Sequence, residues 1–396
     1  MHHACFVRSP HRERGPYQAS SMFRLHSSLN SIRENGMRKS ILTTVAVALI
    51  LSGCASSRAL QQRYDIVWPS SPQAPRVAFI QNYQGKNDFY ELTFWDQVFG
   101  KEIRKDLQKP YGVFARGSKI YVSDTVINAV VVIDTKERTV TFIGDSGKGR
   151  LRLPLGMDGT PDGTLYVTDG TLRAVNIYDR EGKFVRSLGG SGDFKSPSGI
   201  AVNSALDRIY IADSRGHKVR VYAMNGDFLF EFGARGDGDG QFNNPTNVAI
   251  DRRNNNVLVT DTNGFRVEVF DQDGKFLRKF GEVGDGPGSF VRPKGIGVDS
   301  EGNVYVVDAG FNNVQIFSET GALRLFVAGP GRGSGEFNLP AGLYIDDQDR
   351  FYVVDSINTR VAVFQFMSEK WKKDNPDEYG KYVISGNPET KLPDGK

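Results

Sequence analysis

The chain has 396 residues, of which 50 are basic, 46 acidic, five histidine and two cysteine. Two cysteines exclude a disulfide-stapled scaffold and a thiolate zinc cluster. The apparent net charge of +4 depends on where the mature protein begins.

Residues 1–36 are polar and patternless, and we interpret them as an over-extended start or a leader upstream of Met37. Arg38 and Lys39 follow, then an apolar run over 41–51, which is shorter than the roughly 20 residues that a membrane-spanning helix needs. Residues 37–53 therefore read as a secretory signal. The sequence Leu-Ser-Gly-Cys at 51–54 resembles the bacterial lipobox, which implies that Cys54 becomes the lipidated first residue.

Cleavage before Cys54 changes the charge balance of the protein. Seven basic and two acidic residues precede it, so the mature chain carries 43 basic and 44 acidic residues. A net charge of −1 leaves no global basic field for nucleic acid, and we expect no nucleic-acid partner.

Residues 54–75 contain several Ser and Pro residues, and we interpret them as a flexible tether. Ala55 follows Cys54 where Asp favours retention in the inner membrane of enteric-type bacteria. By that resemblance we expect a lipid-anchored protein of the bacterial cell envelope, with the outer membrane favoured over the inner one.

A sequence repeat occurs six times between residues 76 and 366. A proline opens each first strand, at Pro110, Pro154, Pro197, Pro245, Pro293 and Pro340, and successive second-strand aspartates lie 44 to 48 residues apart. In the clearest copy, the predicted strands cover Gly295–Val298, Val304–Asp308 and Val314–Phe317. A period near 45 with four short strands predicts an all-β fold, a six-bladed β-propeller of four-stranded antiparallel blades.

The sixth repeat supplies only three strands, at Gly342–Ile345, Phe351–Asp355 and Val361–Phe366. We predict that Arg76–Ile80 completes this last blade and closes the ring, because closure removes an open sheet edge. Residues 88–109, with Trp95 and Phe99, form a longer excursion that is a candidate cap for one face. Residues 367–396 are charged and predict a solvated, partly disordered tail.

The repeated aspartates end the second strands, where a carboxylate can accept hydrogen bonds from turn amides. We interpret the whole set as structural turn locks: Asp124, Asp169, Asp213, Asp261, Asp308 and Asp355. The Gly-rich loops precede strands rather than helices, so they are not phosphate cradles. Their phenylalanines (Phe242, Phe290 and Phe337) are expected to fill the gaps between blades.

The pattern over Gly284–Phe317, repeated over Gly236–Phe270 and Gly331–Phe364, resembles the NHL repeat. That resemblance implies the propeller fold but admits scaffolds, RNA binders and enzymes. His217 is the one histidine of the predicted propeller. A single histidine is too few for the zinc site of the amidating lyases, which several histidines hold. Gluconolactonase-like propellers place carboxylate and Asn cation ligands after each lead-in proline, where this chain offers glycines, Asn247 and Lys294. We therefore predict no catalytic residue, no metal and no cofactor.

The remaining interpretation is a membrane-anchored, non-catalytic binding or scaffolding module. Envelope proteins are the expected partners, with polysaccharide or peptidoglycan second. The candidate partner-binding face carries Tyr111, Leu155, Ser198, Thr246, Asn247 and Lys294. The alternative is a metal-dependent hydrolase or lyase with its site at the channel mouth.

Overall fold

The computed structural model describes residues 65–70, 72–89, 106–190 and 192–386. The signal, Cys54, most of the proposed tether, Trp95 and Phe99 lie outside the described residues. Residues Gln62–Lys396 form one compact unit, which contains the whole propeller.

Six antiparallel sheets follow one another along the described chain. The first blade contains β3 (Pro110–Arg116), β4 (Lys119–Asp124), β5 (Ala129–Asp134) and β6 (Thr139–Ile143). The second contains β7 (Pro154–Gly159), β8 (Leu165–Asp169), β9 (Ala174–Tyr178) and β10 (Phe184–Leu188). The third contains β11 (Pro197–Asn203), β12 (Arg208–Asp213), β13 (Lys218–Ala223) and β14 (Phe228–Phe232). The fourth contains β15 (Pro245–Asp251), β16 (Asn256–Asp261), β17 (Arg266–Phe270) and β18 (Phe276–Phe280). The fifth contains β19 (Pro293–Val298), β20 (Val304–Asp308), β21 (Asn313–Phe317) and β22 (Leu323–Val327). The predicted fold class is confirmed.

The sixth blade combines both ends of the propeller. It contains β23 (Pro340–Ile345), β24 (Arg350–Asp355) and β25 (Arg360–Phe366), and β2 (Val77–Tyr83) pairs with β25. This confirms the predicted closure. A short fifth strand, β1 (Val67–Trp68), pairs with β2, and Val67 is buried. The tether prediction is therefore wrong for residues 67 and 68. The Pro and Ser residues around them suggested a flexible segment, but these two apolar side chains cover the sheet edge.

The core lies between neighbouring blades because each inner strand is buried on both faces. Phe242 and Phe290 are fully buried, each in a cluster that joins two consecutive blades, and Phe337 fills the same place between the fifth and sixth blades. Continuous Val, Ile and Tyr in the second strands follows from this double burial.

The solvated tail predicted from residue 367 is wrong as far as residue 386. Two helices follow the last strand, α1 (Glu369–Asp374) and α2 (Pro376–Gly386). The Ser368 hydroxyl caps α1 by accepting from the Trp371 amide, and Tyr382 of α2 is buried in a cluster with Val67, Ala78 and Met367. The many charges of this segment concealed an aromatic face. Of the described helices, none combines the length and the apolar character that crossing a membrane requires.

Candidate functional site

The six first strands surround a central channel, since all six contribute residues to its wall. We call the side where these strands begin, at the repeated prolines, the entry face. The opposite side, where each first strand turns into the second, is the turn face. The predicted binding residues belong to the entry face.

Glycines tighten the entry end of the channel. An added Cβ at Gly112, Gly156, Gly199, Gly295 or Gly342 would lie 2.3 to 2.6 Å from backbone atoms of the next blade. At these five places neighbouring first strands therefore touch backbone to backbone, and a side chain would clash. Asn247 takes the sixth place of the ring. These positions set the spacing of the strands.

The repeated aspartates hold the entry-face loops. Asp308 is fully buried and accepts from the Val291 amide at 2.8 Å, Arg292 at 3.0 Å, Gly310 at 2.8 Å and Phe311 at 3.2 Å. The carboxylates of Asp124 and Asp169 accept from the backbone amides at the same four positions of their own repeats. Asp213, Asp261 and Asp355 each bind part of this set. One carboxylate thus fastens the incoming loop to the outgoing turn.

Hydroxyl groups link five of the six blades to the next. Ser123 and Thr168 donate to the carbonyls of Leu155 and Ser198 in the following blade. Ser214, Thr262 and Ser356 donate to the carbonyls of Pro245, Pro293 and Pro110, at 2.7 to 2.8 Å. At both equivalent places of the fifth blade the side chains are apolar, Val307 and Ala309.

Two of the predicted binding residues are structural. Ser198 and Thr246 are buried, and their hydroxyls bond to those of Ser214 at 2.7 Å and Thr262 at 2.6 Å. Such groups are not available to a partner. Leu155 and Asn247 remain partly exposed.

Tyr111 and Lys294 meet at the entry end of the channel. The Lys294 ammonium lies 5.8 Å from the centroid of the Tyr111 ring, across the sixth blade's first strand. Burial lowers the pKa of Lys294 to about 8, and the charge of Arg292 acts in the same direction. A partner carboxylate placed here would find a half-buried cation beside an aromatic ring.

Exposed apolar side chains lie on the entry-face loops of four consecutive blades. We call this set, which was not predicted from the sequence, the apolar arc: Val126, Leu172, Val291, Leu339 and Ile357, between 37% and 54% exposed. They belong to the fifth, sixth, first and second blades, which are consecutive in the ring. The third and fourth blades carry Arg215 and Asn263 at the place that Val126 and Ile357 occupy in theirs. Aligning the repeats on their aspartates would have revealed the arc.

The turn face carries a polar mouth that the sequence analysis also missed. Arg252 of the fourth blade reaches Asp347 of the sixth, with 2.8 Å between the guanidinium and the carboxylate. Asp158 of the second blade is buried beside the channel, and its carboxylate accepts from the Val202 amide at 2.8 Å. Burial raises the pKa of Asp158 to about 6, while the Arg252 charge opposes that rise.

His217 and the basic repeat positions serve the fold. The His217 ring nitrogen Nδ1 lies 2.9 Å from the Asn243 carbonyl. Arg266 and Arg360 donate to carbonyls of the Gly-rich loops and pair with buried aspartates. Within the described residues, no group of three or more His, Cys, Asp or Glu is arranged to hold a metal ion.

Comparisons with known proteins agree with this architecture. A family described as "6-bladed beta-propeller" matches residues 254–314 and 301–378, and the NHL repeat matches residues 194–222. A protein of unknown function from Bacteroides thetaiotaomicron has a TM-score of 0.54 at 17% identity, covering 66% of this chain and 70% of that one. No curated protein matches the sequence.

Two solved enzymes are similar in fold. A streptogramin B lyase gives a TM-score of 0.51 at 12% identity, covering 66% of this chain and 95% of the lyase. A gluconolactonase from Xanthomonas campestris gives 0.51 at 16% identity, covering 65% and 86% of the two chains. Identities this low carry the fold and not the activity.

Proposed function

We propose that this six-bladed β-propeller with NHL repeats is a non-catalytic binding module for a protein of the bacterial envelope. The apolar arc is the observation that carries the proposal. Several exposed apolar groups gathered on one face of a protein are typical of interaction sites. The third and fourth blades are built from the same repeat but carry Arg215 and Asn263 at the places of Val126 and Ile357, so the scaffold itself does not require apolar side chains there.

The charges around the apolar arc indicate the kind of partner. Arg173 and Arg292 directly follow Leu172 and Val291 of the arc, and Lys294 lies two residues beyond Arg292. An apolar segment flanked by carboxylates would match this surface, with its side chains on the arc and its acids on the rim. Rim charges of this kind chiefly speed association and select the partner, while the apolar centre supplies affinity.

A lipid on Cys54 would hold the propeller at a membrane, and we include this anchor in the proposal. Export and lipidation are supported by the residues around Cys54 alone. Fractionation of cells that carry Cys54→Ala tests the anchor independently of any partner. Membrane-bound wild-type protein and released variant are expected, whereas equal release of both would remove the anchor from the proposal.

Photo-cross-linking in host cells tests the binding surface. A photoreactive phenylalanine analogue is placed at Val126 or Ile357 in the apolar arc, or at Arg215 or Asn263 as the structurally equivalent controls. One discrete cross-linked envelope protein from the two arc positions, and none from the controls, is the expected result. Equal labelling from all four positions, or capture of lipid alone, would contradict a protein-binding arc.

The competing function is a metal-dependent hydrolase or lyase. The purified protein should be assayed for bound calcium and zinc in the same preparation. A stoichiometric metal without a cross-linked partner would favour that enzyme class and overturn the binding role.

A further inference from the structure

The turn-face mouth contains two cavities that share a wall. The inner cavity, of about 370 Å³, follows the channel, and the outer vestibule, of about 400 Å³, opens beneath the first four blades and the sixth. Arg252, Tyr344 and Asp347 line both. These volumes fall within the roughly 300–1,000 Å³ of sites for small molecules.

The ion pair between Arg252 and Asp347 stands at this shared wall. Its side chains are 61% and 88% exposed, so the pair is worth roughly 0–1 kcal/mol. Asp347 is therefore a replaceable partner. A ligand carboxylate can take its place because a guanidinium binds carboxylates through two parallel hydrogen bonds.

Asp158 supplies the opposite charge inside the inner cavity. Val202 and Gly159 amides fix its carboxylate, so the group is held in place before any ligand arrives. At the same place in the repeat the other blades carry apolar residues, a glycine or Tyr344: Phe114, Ala201, Ala249, Gly297 and Tyr344. A single buried carboxylate in an otherwise uncharged ring is suited to an ammonium group.

Charged side chains also line the inner cavity, those of Arg253, Asp299, Asp346 and Asp349, but one ring of its wall is apolar. One residue from each first strand forms it: Val113, Met157, Ile200, Val248, Ile296 and Leu343. Ala201, Ala249 and Gly297 are small, which leaves room on the side of the channel opposite Tyr344. An apolar side chain of modest size would be covered by these residues.

We propose that the turn mouth binds a free apolar amino acid as a zwitterion. Arg252 holds its carboxylate, Asp158 holds its ammonium group, and the apolar channel wall covers its side chain. The entry face and its protein partner take no part in this site. The proposal therefore extends beyond the proposed function, and either can fail alone.

Three probes separate the two charged contacts. L-leucine carries both charges, leucinamide lacks the carboxylate and N-acetyl-L-leucine lacks the ammonium group. Titration calorimetry on the purified full-length protein should show L-leucine binding at least about tenfold more tightly than either analogue, since each lost charge-assisted contact costs a factor of ten or more. Equal affinities for the three probes would overturn the proposal.

Variants assign each contact to a residue. Arg252→Ala should abolish the preference for leucine over leucinamide, and Asp158→Asn should abolish the preference over N-acetyl-leucine. Asp347→Asn removes the competing carboxylate and should tighten leucine binding several-fold. Lys279→Ala breaks another exposed ion pair, with Asp239 at 2.9 Å, and should change nothing.

The Asp347→Asn result keeps the test independent of folding damage, because a destabilised protein would not bind more tightly. Weaker leucine binding in Asp347→Asn, or an unchanged probe preference in Arg252→Ala, would refute the assignment. Circular dichroism of each variant, compared with wild type, confirms that the propeller is intact.

Discussion

Removal of one turn-locking carboxylate should destabilise the whole propeller. In Asp308→Ala, four backbone amides lose their acceptor: those of Val291, Arg292, Gly310 and Phe311. A hydrogen bond to a charged group contributes roughly 1.5–3 kcal/mol, and water can satisfy part of the amides at the loop surface. We therefore expect the free energy of unfolding to fall by about 4 kcal/mol.

Urea unfolding, followed by tyrosine and tryptophan fluorescence, measures this loss as a shift in midpoint at constant slope. Asp308→Asn is the graded control. It keeps one oxygen for three of the amides but turns an N–H group toward Val291, so about half the loss is expected. Asp285 is exposed and lies in the Gly-rich loop that leads to Val291, so the stability of Asp285→Ala should stay within about 0.5 kcal/mol of wild type. A loss below about 1 kcal/mol in Asp308→Ala would show that the amides have other partners, and would refute the reasoning.

Three further predictions concern other parts of the fold. Ala309→Ser should add the missing link to the sixth blade and raise the free energy of unfolding by about 1 kcal/mol, whereas Ala309→Val, which lacks the hydroxyl, should not; urea unfolding distinguishes them. Burial raises the pKa of Glu268 to about 7, from 4.5, so its contribution to stability is present below pH 4.5 and is lost as pH rises toward 7. The stability of wild type relative to Glu268→Gln should therefore fall across that range, and a constant difference between the two in urea unfolding from acid to neutral pH would contradict this. Tyr382→Ala should cost about 3 kcal/mol of packing and speed hydrogen exchange in residues 376–386, with little change in the first five blades; unaltered exchange there would mean that Tyr382 does not anchor the helix.

The repeat made the fold predictable because identical local signals recur at a fixed spacing. Each repeated proline and aspartate has a local structural cause, and six copies of both fix the blade count. Ring closure by the first strand followed from the strand missing in the sixth repeat. Such arguments need only chain order and the cost of an open sheet edge.

The sites were harder to predict because they depend on how the repeats differ across the ring. Arg252 and Asp347 are far apart in sequence and meet only when the fourth and sixth blades face one channel. Ser198 and Thr246 looked available because sequence alone does not show that neighbouring blades bury their hydroxyls. The buried aromatic side of α2 was hidden in the same way, by an abundance of surrounding charge.

Closure of the ring has a consequence for the order in which the protein is made. Val77 is synthesised near the beginning of the propeller, yet it pairs with Phe366, at its end. The ribosome therefore releases the first strand long before its partner exists, and the sixth blade must wait for the complete chain. The ring therefore cannot close until synthesis is complete, so its last step joins strands at the two ends of the propeller.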